Sequence, residues 1–83
     1  MKQSEMRQLC IERDNAFIRA VTMDEWHSAY IYCQRWNVPI PTDERVFKGG
    51  ILKACYNVNS IPKEVRELAA AKLRAWGWSP EVR

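Results

Sequence analysis

An all-α domain of four helices is the fold this chain predicts, and three observations predict it. Apolar residues recur at helical spacing in four stretches, no stretch alternates with period two, and helix-starting or helix-stopping residues bound each one. The helices are expected at about residues 4–21, 22–36, 43–56 and 61–76, in a small compact bundle that takes residues 1–83 as a single domain. A chain of 83 residues has room for one modest core and little beyond it.

Ser4 is the expected N-cap of the first helix. Met6, Leu9, Cys10, Phe17, Ala20 and Val21 fall near one face of it, leaving Glu5, Glu12, Arg13 and Arg19 to water. The second opens on Thr22-Met23-Asp24-Glu25, a T-x-x-E capping box in which threonine accepts an early helical N–H and glutamate reaches back to the cap. Its stripe is Trp26, Ala29, Tyr30 and Cys33, with Trp36 close by and Tyr32 off the stripe. Asn37 tolerates the left-handed conformation of a helix ending, and Pro39 and Pro41 make 37–41 an extended connector.

Thr42 or Asp43 caps the third helix, which carries Val46, Phe47, Ile51, Leu52, Ala54 and Cys55. Gly49-Gly50 lies inside it and marks either a break or a smooth face against which another helix packs, since each helical glycine costs about 1 kcal/mol relative to alanine. Ser60 and Pro62 open the fourth, whose apolar face is Val65, Leu68, Ala69, Leu73 and Trp76. Trp36-Asn37-Val38, Tyr56-Asn57-Val58 and Trp76-Gly77-Trp78 share one order: an aromatic, a residue that accepts positive φ, an apolar residue. In such an ending the last residue folds back on its helix, so Val38 is expected at Cys33 and Trp78 at Leu73.

Composition narrows the function. No apolar run reaches the eighteen or so residues of a membrane span, and no signal peptide is visible at Met1-Lys2-Gln3-Ser4-Glu5-Met6-Arg7. Three cysteines, Cys10, Cys33 and Cys55, form no disulfide framework, which points to a reducing, cytoplasmic setting. With His27 they could supply four zinc ligands, but structural zinc sites take ligands in close pairs and these are scattered, so no metal and no cofactor are expected. His27 is the lone imidazole, and Glu25, two residues away, lies on another side of a helix. The carboxylate pairs Asp24-Glu25, Asp43-Glu44 and Glu64/Glu67 sit in first helical turns, where the helix dipole accounts for them. No enzymatic activity is expected.

Two modes of contact remain. The leading expectation is a protein–protein interaction or regulatory module, of accessory or inhibitor type, with homo-oligomerisation as one way to cover remaining apolar surface. Trp78, Tyr32, Arg35, Arg74 and Ile40 are its candidate binding residues, because tryptophan, tyrosine and arginine dominate interface hot spots. The alternative is a helix-turn-helix-like DNA- or RNA-binding protein built on residues 43–76, with Cys55 inside the first helix, Asn59 in the turn, and Val65 and Leu68 as anchors. Its contacts would come from Lys48, Lys53, Lys63, Arg66, Lys72 and Arg74; residues 43–83 hold eight basic and five acidic side chains against five of each in residues 1–42.

Overall fold

The computed structural model describes residues 3–80 and has the expected four helices: α1 (Gln3–Met23), α2 (Trp26–Arg35), α3 (Glu44–Tyr56) and α4 (Lys63–Ala75). No strand occurs among the described residues. α1 packs along α2 and α3 along α4, and α1 also touches both α3 and α4. Where these faces meet, Phe17, Val21, Ala29, Leu52, Cys55, Ile61 and Leu73 close into one core. The first turns of α1, residues 3–8, lie outside it and are exposed.

The α1–α2 corner forms two residues later than the capping box would place it. Thr22 stays in the last turn of α1, where its Oγ1 donates to the Ile18 carbonyl at 2.6 Å, so its hydroxyl is spent on the preceding turn and caps nothing. The reversal falls on Asp24, at φ 60°, a conformation aspartate tolerates better than most residues. Trp26 Nε1 donates to Asp24 Oδ1 at 2.6 Å, and Arg19 Nη1 to Glu25 Oε2 at 3.4 Å. From α4, Lys72 Nζ donates to the Val21 carbonyl at 2.7 Å and so caps the negative end of α1.

Two of the three matched helix endings form as expected. Asn37 adopts φ 60° and Gly77 φ 79°, while Val38 N–H reaches the Cys33 carbonyl at 2.8 Å and Trp78 N–H the Leu73 carbonyl at 3.0 Å. Asn57 differs: its φ is −96°. Its side chain replaces the left-handed backbone, Nδ2 donating to the carbonyls of Lys53 at 2.8 Å and Pro80 at 3.1 Å. That bond ties the tail after α4 to the end of α3.

Asp43, rather than Thr42, caps α3, Oδ1 accepting from Arg45 N at 2.8 Å and Val46 N at 3.3 Å. α3 runs unbroken through Gly49 and Gly50. What packs on Gly49 is the indole of Trp78, not another helix: a Cβ there would sit within the ring, 2.7 Å from Cε3 and Cη2. Ser4 lies within α1 and Ser60 does not cap α4; Ser60 Oγ instead donates to Asp14 Oδ2 at 2.6 Å, and Pro62 occupies the cap position.

Two apolar faces are rotated from those expected. On α2 the core takes Ala29, Tyr32 and Cys33, leaving Tyr32 8% exposed and Tyr30 40%. On α4 it takes Ala69, Ala70 and Leu73, so Leu68, a proposed helix-turn-helix anchor, is 39% exposed and Val65 is half-buried.

Candidate partner-binding groove

The two prolines of the connector hold Val38, Pro39 and Pro41 in an extended path that runs past α3. Between this wall and the face of α3 formed by Val46, Phe47, Gly50 and Ile51 lies an open apolar groove of about 370 Å³. Phe17, Tyr32, Cys33, Ala54 and Val58 also line it. Val38 and Val46, both in the lining, are 38% and 48% exposed. Arg13 is the one charged residue of the lining. Its Nε donates to Asp14 Oδ1 at 3.0 Å, and Asp14 is held in turn by Ser60.

Of the candidate binding residues named from the sequence, Tyr32 alone lines this groove. Tyr32, expected on the surface, is buried edge-on against Phe17, ring centroids 5.7 Å apart, because the core takes the neighbouring face of α2. Arg35 reaches across to α1, Nε to Glu12 Oε1 at 3.2 Å, and lies over the Trp36 ring. Ile40 is half-buried against the core. Trp78 covers Gly49, stands edge-on to Trp76 at 6.1 Å, and shares the Arg45 guanidinium with it. Arg74 is exposed on α4.

Several of the six basic positions are engaged within the domain. Lys48 pairs with Glu44 at 2.8 Å and lies over the Trp26 ring, and Lys72 is committed to the end of α1. Lys53 is half-buried. Lys63 and Arg66 line a separate polar hollow with Tyr56, Asn57, Asn59 and Glu67, and Lys63 approaches Glu67 at 3.8 Å. The Nε of Arg66 is covered and makes no hydrogen bond.

Among the described residues no three His, Cys, Asp or Glu side chains converge as metal ligands. His27 is exposed and stacks on Tyr30, while Cys33 and Cys55 are buried and Cys10 is half-buried, all three as free thiols. Burial pushes the Cys55 thiol up from its ordinary 9.0 to about 11, with Asp14 adding to the rise and Arg66 opposing it; burial also raises Cys33. Tyr32 is raised too, by burial first, against the opposing charge of Arg13. The folded state therefore holds these protons more tightly than the unfolded chain. The Cys55 contribution is complete below pH 9 and drains away as pH rises through about 11. The urea midpoint is expected to fall over that interval, and to fall less in Cys55→Ala; equal falls would remove Cys55 as a cause.

No family model, curated protein or solved structure matches this chain.

Val46, Phe47, Gly50 and Arg13 went unnamed as binding residues in the sequence. Only the glycine pair carried a signal, by marking α3 as a helix with a smooth face.

Proposed function

We propose that this chain acts by contact and without catalysis, seating part of another protein in the groove between the 38–41 connector and α3. The observation that carries this reading is the groove itself: a concave apolar surface, open to solvent, flanked by exposed Val38 and Val46 and bounded by a single cation. Tight specific interfaces centre on such desolvated hollows, with the surrounding rim excluding water. The three free thiols support action in a reducing compartment such as the cytoplasm. No described helix is long and apolar enough to cross a membrane.

Val46→Glu tests the reading cleanly. Position 46 lies in the first turn of α3, where a carboxylate favours the helix, so the variant should fold as well as the parent. Immobilised parent protein is expected to retain a specific protein from a lysate of its source organism, and the variant to lose it. Equal retention would place the contact elsewhere.

A second reading, nucleic-acid binding, draws support from the hollow where Lys63 and Arg66 stand beside Tyr56 and two asparagines. It requires retardation of duplex DNA or RNA at low salt that fades steeply as salt rises. Retardation unaffected by Val46→Glu but lost in Lys63→Glu/Arg66→Glu would favour it over the groove.

A further inference from the structure

Gly49 and Gly50 are neighbours in one helix with different reasons to be glycine. The first is a seat for Trp78. The second is exposed, a Cβ on it would meet nothing within 4 Å, and among the described glycines only Gly77 has positive φ. Alanine would therefore fit Gly50 without strain and would strengthen the helix. Nothing inside the domain calls for a bare backbone at this position. Gly50 does, however, form part of the groove wall, between Val46 and Phe47 on one side and Ile51 and Ala54 on the other.

Charge says what kind of occupant suits the groove. Every lining residue except Arg13 is uncharged, and Asp14 engages Arg13 through Nε. A guanidinium presents further N–H groups in a planar fork that matches a carboxylate. We propose that the groove receives a short amphipathic segment of a partner protein, its apolar side chains lying against α3 at Gly50 and an Asp or Glu carboxylate meeting Arg13. This rests on the contact reading above and adds the partner's chemistry. It is the helix-in-groove mode of recognition, in which apolar anchors give affinity and a flanking charge fixes direction.

The test uses the full chain and a phage-displayed library of random linear peptides. Enriched peptides should carry at least two large apolar residues and an acidic one, and a synthetic copy should bind the folded protein. Gly50→Ala should raise the urea midpoint yet weaken that peptide about tenfold, so the loss cannot come from unfolding. Arg13→Gln should weaken it about tenfold or more, as expected for a hydrogen bond to a charged group. Arg13→Lys should restore part of the loss, and a peptide with its acid replaced by amide should no longer distinguish Arg13 from Gln. Binders without an acidic residue, or indifferent to Gly50→Ala and Arg13→Gln, overturn this inference while leaving the contact reading standing. A library yielding no binder overturns it as well. Self-association that Val46→Glu dissolves also overturns it, by making a second copy the occupant.

Discussion

Leu73→Ala is expected to lower the melting temperature by about 15 °C or more. Leu73 is fully buried on α4, within the same core as Val21, Leu52 and Ile61. Its carbonyl also accepts the N–H groups of Trp76 at 2.9 Å and Trp78 at 3.0 Å, so the residue stands where α4 ends and the tail turns back. Removing a buried leucine side chain costs about 2–5 kcal/mol, more where neighbours cannot collapse into the space. Stability scales at roughly 0.05–0.15 kcal/mol per residue, about 4–12 kcal/mol for a chain of this length. One cavity can consume much of that, and each kilocalorie shifts a small domain by about 4–8 °C. Leu68→Ala, on the same helix but at an exposed site, supplies the comparison and should cost under about 1 kcal/mol. Similar losses at the two positions would mean that α4 packs on the face the sequence suggested.

Gly49→Ala should destabilise by about 2–4 kcal/mol, against the usual preference of helices for alanine. The new methyl group has no room while Trp78 covers the site, so the indole must leave. With it go the edge-on contact to Trp76, the shared Arg45 cation, and the path that brings Pro80 to Asn57. A double-mutant cycle separates this from any general intolerance of α3. Once Trp78→Ala has emptied the seat, Gly49→Ala should become stabilising by up to about 1 kcal/mol. The change of sign is the diagnostic result, readable by urea denaturation. Destabilisation of equal size in both backgrounds would show that Trp78 is not what the glycine accommodates.

The four helices were legible because each signal is local. Period, caps and stop residues act within one turn, and Asn37, Asp43 and Gly77 do what their chemistry favours. The misses come from choices that local chemistry leaves open. Thr22 can cap a following helix or bond back to a preceding one, and here its hydroxyl bonds back to the Ile18 carbonyl. α2 carries apolar residues around much of its circumference, so periodicity alone could not choose between burying Tyr30 and burying Tyr32; Phe17 on α1 settles it. The groove was hidden for a different reason. Arg13, the 32–41 stretch and the 46–58 stretch share no local pattern, and only the tertiary fold brings them together.

Where a partner touches the chain is the measurement that bears most directly on this account. A photoreactive benzoylphenylalanine placed at position 46, and separately at position 63, reports contact in living cells of the source organism without purification or salt effects. The groove reading predicts a discrete protein adduct from position 46 and none of comparable yield from position 63. Adducts from position 63 alone, whether to protein or to nucleic acid, would contradict it.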